Sequence, residues 1–459
     1  MKGLLAVSKV SVQALFRTRM VLVLVLFLVL SSIFLPLTVV SDGTARGLVQ
    51  IGFSYSLGLN ALILAIAGLG LAATGVADDI ESYRIHMIRT KAIRPGEYWF
   101  GKWLGISSIL ILLAFLGAVA SYAIIMFRIQ RLPLSGAERK ILDSSTLTAR
   151  RRFGPSPIDY RTWAEREYHR RIAAGAKTPK QVKKSMVIDS IIQQLKKGEG
   201  DIPFSGFRPW EIHNLPRLNP NDSFFLRYRV YVNRVKEKEQ RRTRGLWVFE
   251  NPKARDVREQ EISLPVEVMG GTIQELRLPG WLIGPDRALR FRFINLDPES
   301  KTLVIPRSDG PFVLVGAYPF WYNYLRTFLL IALQIAVAVA LGCLAGASLS
   351  SPVAIFLSVA YLMISFLLSF MQVLDEQDML WGNDNLILTA FNLFRRLMGF
   401  ITFSLNGNLQ IDSLIDGVFI ETSLLLKVIG QSLAVHLLPM ALLGIYVFKK
   451  RELGLVIRR

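Results

Sequence analysis

The stretch Ala77–Gly105, ADDIESYRIHMIRTKAIRPGEYWFGKWLG, is a short charged segment held between two long apolar runs. Acids come first (Asp78, Asp79, Glu81), then bases (Arg84, Arg89, Lys91, Arg94). The pattern breaks at Pro95-Gly96, and apolar sequence resumes past Gly101-Lys102. Ile80, Tyr83, Met87 and Ile88 recur at three- and four-residue steps with charges between them. That spacing predicts a small amphipathic helix. Between two membrane spans, such a helix belongs at the membrane surface, with a side to press against a partner.

The flanking runs set the class of protein. A helix needs about 20 apolar residues to cross the hydrocarbon core. Met20–Val40, Gly47–Ala77 and Trp103–Phe127 each supply such a run. Thr327–Leu374 is of double length, divided by a turn at Ser348–Pro352, and Val428–Phe448 follows. The sequence therefore predicts an α-helical polytopic membrane protein with six spans. The first run is longer than the roughly 7–15 apolar residues of a signal peptide, so it is read as a retained span.

Lysine and arginine in short loops orient such a bundle. With the N-terminus inside, segments 1–19, 78–102 and 449–459 carry 14 bases, against four in the outer segments 41–46 and 375–427. Both termini are expected in the cytoplasm, and residues 128–322 form an extracytoplasmic domain. Long domains translocate largely regardless of charge, so their bases do not oppose this. The single cysteine, Cys343, excludes an intrachain disulfide, so the outer domain must rely on core packing.

In chain order, residues 1–19 place Leu4, Leu5, Val12, Leu15 and Phe16 along one helical side. Lys2, Lys9, Gln13 and Arg17 lie on another, the pattern of an interfacial helix facing anionic lipid. Residues 20–127 hold spans one to three with the charged segment 78–102. Small residues in the second span (Gly58, Ala61, Ala65, Gly68, Ala72, Gly75) and Gly342 and Gly346 in the fourth permit close helix approach, either within the chain or in a dimer.

The outer domain reads as α+β. Residues 130–200 are helical in pattern, the clearest helix having Thr178 as N-cap, Pro179 in its first turn and Gly198 past its end. Val182, Met186, Ile192 and Leu195 form its apolar side. Over 205–317 the period becomes two. Strands are expected at Phe224–Val232, Leu246–Phe249, Glu261–Val268, Thr272–Leu278, Ala288–Asn295, Thr302–Pro306 and Phe312–Val315, with Gly- and Pro-rich turns between them. That is the signature of an antiparallel β-sandwich. Residues 323–459 complete the bundle, with an outer re-entrant or interfacial helix at 385–400 and a cytoplasmic tail at 449–459.

No catalytic, cofactor-binding or metal constellation emerges. Gly96–Lys102 has the spacing of a phosphate loop, but Trp103 stands where the motif needs Ser or Thr, and no strand precedes it. The histidines (His86, His169, His213, His436) lack metal-ligand spacing. His436, within the sixth span, reads as a neutral histidine bonded to a neighbouring helix. Asp375, Glu376 and Asp378 read as an acidic solvated loop. Residues 128–326 hold 37 Lys+Arg against 22 Asp+Glu, which makes +15 of the chain's +20. Arg227, Arg229, Arg290 and Arg292 alternate along two strands and form a candidate basic patch for anionic lipid headgroups, anionic glycans or an acidic protein. Nucleic acid is not an expected partner outside the membrane.

The order of these features resembles the type-2 ABC exporter permeases, the group that includes the gliding-motility and copper-processing permeases. An interfacial N-terminal helix precedes six spans. The segment between spans two and three carries Glu81, a short helix, Arg94-Pro95 and Gly101-Lys102 at the mouth of span three. A short outer helix precedes span six, and Phe448–Gly454 closes the chain. The large outer domain departs from the family's usual form, as does Ser82-Tyr83 in place of its common Gly-Thr.

The resemblance implies a permease half in a bacterial inner membrane, paired with a second half and driven by a separate cytoplasmic ATPase that holds the ATP and magnesium. This chain would then be no enzyme itself. Glu81, Tyr83, Arg84, Met87, Arg89, Lys91 and Arg94 would dock the ATPase, and the cargo would be hydrophobic or amphipathic. A membrane-anchored binding protein, whose basic sandwich recognises an envelope component, is the alternative.

Overall fold

The computed structural model describes residues 2–38, 44–85, 93–155, 159–173, 184–198, 200–219, 222–232, 242–250, 261–378 and 409–450. Its helices are α1 (Lys2–Arg17), α2 (Met20–Thr38), α3 (Ala45–Glu81), α4 (Pro95–Arg131), α5 (Gly136–Ser145), α6 (Tyr160–Ala173), α7 (Lys184–Lys197), α8 (Phe320–Ser348), α9 (Ser351–Asp378), α10 (Ile411–Ile415) and α11 (Thr422–Lys450). The chain divides into two compact units, one built from both ends of the chain and the other from Arg150–Gly316.

In the first unit, α2, α3, α4, α8 and α11 are long and apolar enough to cross a membrane. The remaining predicted run is helix α9, whose described apolar part, Ser351–Ser365, is shorter. Asp375, Glu376 and Asp378 fall in the last turns of α9 rather than in a loop, because the helix continues through them. The expected outer helix at 385–400 and the tail beyond Lys450 lie outside the described residues.

Small residues set how these helices meet. Gly342 and Gly346 of α8 rest on the α3 backbone at Leu69 and Ala73, closer than any side chain would allow. At these two glycines the close approach is a helix–helix contact of the small-residue kind within the chain. On α4, a Cβ added at Gly101 would lie 2.7 Å from Val7 Cβ and one at Gly105 2.7 Å from Ser8 O, so α1 crosses α4 at these two glycines. Glycine contact therefore decides which side of α1 is buried. The packed stripe is Val7, Ser8, Ser11 and Leu15, while Leu5 and Phe16, expected on the apolar side, face outward.

Among the described residues, two helices contain π-helical turns, Leu30–Phe34 in α2 and Ser432–Leu437 in α11. A π turn widens the helix and redirects side chains. The first aims Ser31 and Ser32 at Asn60 of α3: the Ser31 hydroxyl donates to Asn60 Oδ1, and Asn60 Nδ2 donates to Ser32 Oγ at 2.7 Å. All three residues are buried, and Gly117 of α4 leaves them room.

The second unit is an antiparallel sheet domain. Its strands are β1 (Thr148–Phe153), β2 (Asp201–Ile202), β3 (Phe207–Ile212), β4 (Ser223–Arg229), β5 (Tyr231–Val232), β6 (Arg242–Glu250), β7 (Glu261–Met269), β8 (Ile273–Pro279), β9 (Leu289–Asn295), β10 (Leu303–Val304) and β11 (Phe312–Pro319). They form sheets of order β1-β11-β4-β8, β2-β10-β5 and β3-β9-β6-β7.

Alternation puts Phe224, Leu226 and Tyr228 of β4 and Trp247 and Phe249 of β6 into one shared core. Tyr228 of one four-stranded sheet meets Trp247 of the other edge-on, ring centroids 4.9 Å apart, so the two sheets pack face to face. Each expected strand is present.

One strand falls where helix was expected. Burial divides the run of three arginines in β1: Arg150 is fully buried and forms a bidentate pair with Glu275, at 3.1 and 3.2 Å, while Arg151 and Arg152 are exposed. The helix expected after Thr178 is described from Lys184 to Lys197; Thr178, Pro179 and Val182 lie outside the described residues, as do the side chains of Met186 and Leu195. It packs on α6 through Ala164, Ile188 and Ile191.

Candidate functional site

Helix α3 ends in the opening charges of the Ala77–Gly105 segment, and α4 begins within its closing ones. Asp78, Asp79 and Glu81 continue the long helix α3 rather than opening a separate one, since no breaker precedes Ser82. Gly75 and Asp79 are four residues apart on α3, and Tyr98 and Lys102 four apart on α4, so each pair lies on one helical face.

Those faces meet. The Lys102 ammonium stands 2.7 Å from Asp79 Oδ2 and donates to the Gly75 carbonyl at 3.1 Å. The Tyr98 hydroxyl donates to the same carboxylate oxygen at 2.8 Å. Asp79 and Lys102 are each 8% exposed and Tyr98 2%. A buried pair is tolerable when further hydrogen bonds satisfy it, as they do here.

The cluster is fixed from several sides. The Tyr98 ring stacks on Phe448 of α11 at 4.9 Å. Trp99, 1% exposed, presses on Gly444 of that helix. Glu81 accepts a hydrogen bond from the backbone N–H of Ser351 at 3.0 Å, which satisfies a donor at the start of α9. The charged segment is thereby tied to α3, α4, α9 and α11.

Beyond Glu81 the chain turns through Tyr83 in a left-handed conformation (φ 56°), and Arg84 and Ile85 are helical. Ile85 is fully buried, whereas Tyr83 is 53% exposed and the Arg84 side chain 65%. Arg84 keeps a long contact of 3.9 Å to Asp79. Arg94 is exposed at the N-cap of α4, its N–H donating to Glu97 at 3.3 Å. Met87, Arg89, Lys91 and His86 lie outside the described residues.

Of the expected docking residues, Glu81 thus latches a neighbouring helix, and Tyr83, Arg84 and Arg94 present exposed side chains at the rim. Lys102, which the phosphate-loop spacing singles out, is committed to Asp79. Gly96–Lys102 is continuous helix, so it forms no loop around a phosphate. Sequence reasoning misses the ion pair itself. Its signal is faint: Asp79 is one of three acids that close the second apolar run, and Lys102 stands among aromatic and apolar residues where the third begins.

The basic quartet divides between sheets, with Arg227 and Arg229 on β4 and Arg290 and Arg292 on β9. Each has an acid. Arg227 is 4.0 Å from Glu275 and Arg229 3.7 Å from Asp309. Arg290 meets Asp286 at 2.7 Å and Glu211 at 2.8 Å, and Arg292 holds Glu261 with two hydrogen bonds of 2.6 and 2.8 Å. The Arg290 guanidinium beside Asp286 holds that carboxyl below the usual carboxylate range. An open groove of about 390 Å³ lies on the β3-β9-β6-β7 sheet, lined by Phe207, Pro209, Trp210, Val248, Glu250 and the paired charges.

His436 is buried in the π turn of α11. Among the described residues, no group of three or more His, Cys, Asp or Glu is placed to hold a metal. These features define a chain with several helices able to cross a membrane and an antiparallel sheet domain inserted between two of them. Comparisons with protein-family models, curated proteins and solved structures find no match.

Proposed function

We propose that this chain is the membrane-spanning permease half of a type-2 ABC exporter. It would cross a bacterial inner membrane six times, with α9 as the additional span and both termini in the cytoplasm. A separate cytoplasmic ATPase, carrying the ATP and magnesium, would drive export or extraction of a hydrophobic or amphipathic substrate, and a second permease half would complete the transporter.

The observation that supports this reading most is the Asp79–Lys102–Tyr98 cluster. Force from a nucleotide-driven neighbour reaches membrane helices only through an element that does not yield. Here the ends of α3 and α4 are joined by buried charge, with Glu81 holding α9. Exposed Tyr83, Arg84 and Arg94 leave polar and aromatic surface for a partner. The test is charge reversal at Arg89 and Lys91. Loss of copurifying ATPase with membrane insertion intact supports the reading, and unchanged copurification overturns it.

A second reading, a membrane-anchored binding protein, is favoured by the groove on the β3-β9-β6-β7 sheet, where an exposed Phe207 lies beside paired arginines and glutamates. An isolated sheet domain that retains the activity in cells would select it.

A further inference from the structure

We infer that one face of helix α6 docks on an anionic lipid surface. Trp163, Arg166 and Arg170 are spaced by three and four residues and so form one stripe of the helix. Trp163 is 60% exposed, although tryptophan is a large and normally covered side chain. Arg166 is exposed, and no acid among the described residues pairs with it. Arg170 keeps a contact of 2.9 Å to Glu167, yet its side chain is 79% exposed. The opposite side of α6, at Ala164, is covered by Ile188 and Ile191 of α7, so the stripe is the outer face of a helical hairpin. The two helices carry four arginines and three lysines against two glutamates and one aspartate.

A tryptophan flanked by arginines suits the boundary between headgroups and acyl chains: the ring has an apolar body and a polar N–H, and the guanidiniums meet phosphates. Charge complementarity selects an anionic bilayer as the occupant. Strand β11 ends at Pro319 and the apolar helix α8 begins at Phe320, so the sheet domain is joined to a membrane helix with no linker. A tethered surface needs little intrinsic affinity, because its effective concentration is already high. The four arginines of β4 and β9 are matched to acids and do not compete for this role. The inference requires only that the apolar helices lie in a bilayer and is independent of the export reading.

The test uses the full chain in nanodiscs of phosphatidylcholine, with or without phosphatidylglycerol. Cys343 is fully buried, so a Cys343→Ala, Ala173→Cys chain carries one reporter site on exposed α6 surface for an environment-sensitive fluorophore. In anionic discs its emission shifts to the blue and is quenched by headgroup spin-labelled lipid, whereas in neutral discs it does neither. Raising salt from about 0.1 M to about 1 M, which shortens the screening length from about 10 Å to about 3 Å, reverses the shift. The pair Arg166→Glu and Arg170→Glu removes it. Water-like emission in both lipid mixtures overturns the inference and leaves the stripe for an acidic protein. Because the lipid comparison is made on one protein, it does not depend on how the glutamate variants fold.

Discussion

Lys102 and Asp79 lie 23 positions apart in the chain, yet their charged groups are 2.7 Å apart, each almost fully removed from solvent. Tyr98 completes the arrangement by donating to the same carboxylate oxygen. Between those residues runs the charged segment, in which Tyr83, Arg84 and Arg94 are exposed. The pair ties the end of α3 to the start of α4.

Removing one partner strands the other charge. Lys102→Met or Asp79→Leu alone should cost about 3–5 kcal/mol. The double variant should lose less than the sum of the two, because no buried charge remains unpaired. Thermal unfolding of the purified chain in detergent measures all three, and strict additivity would deny the interaction.

The small-residue contacts should be intolerant of bulk. Gly342→Val or Gly346→Val places side-chain atoms against the α3 backbone, where not even a Cβ has room. Overpacking of this kind costs about 1–3 kcal/mol, and Gly58→Val, with open space around it, should cost far less. Comparison of melting temperatures decides the point.

Within the sheet domain, burial separates two arginine–glutamate pairs of similar geometry. Arg150→Ala leaves Glu275, 6% exposed at its side chain, without its closest cation, and about 3–5 kcal/mol should be lost. Arg292→Ala opens a pair whose side chains are 37% and 44% exposed, so the loss should stay below about 1 kcal/mol. Denaturant unfolding of the full chain reads both, and equal losses would contradict the contrast.

The polar contact inside the bundle should stabilise it. Asn60→Leu removes both hydrogen bonds to Ser31 and Ser32 and crowds Gly117. A loss of about 1–2 kcal/mol is expected, the scale of interhelical hydrogen bonds in model membrane peptides. The measurement is unfolding in detergent, and an unchanged melting temperature would show that the contact is dispensable.

Legibility in the sequence followed physical range. The apolar runs that became α2, α3, α4, α8 and α11 were plain, because length and hydropathy are local properties. So were β4, β7, β8 and β9, where polar and apolar residues alternate, and β6 and β11, which carry short apolar runs. Strand β1 was hidden because the residue turned inward, Arg150, is charged, and its partner Glu275 lies 125 positions away. Glycine placement also escaped the reading of α1. Only the position of Gly101 and Gly105 across the contact explains why Ser8 and Ser11 are buried and Phe16 is not. The site was half legible: the rim residues Glu81, Tyr83, Arg84 and Arg94 stand out as charged or aromatic breaks, whereas nothing in the sequence around Lys102 points to its partner, Asp79, 23 positions away. The acids that pair with the arginine quartet escaped for a related reason, since they lie on other strands and turns.

The most direct measurement of the central claim is photocrosslinking from Tyr83 in intact membranes, with a benzoylphenylalanine residue in its place. The side chain is exposed at the rim of the segment, so the substitution should leave the Asp79–Lys102 pair in place. Irradiation should join the chain to a cytoplasmic, ATP-binding subunit, and the adduct should disappear on charge reversal at Arg89 and Lys91. Adducts formed only with proteins on the outer side of the membrane, or none with an ATP-binding protein, would contradict the account.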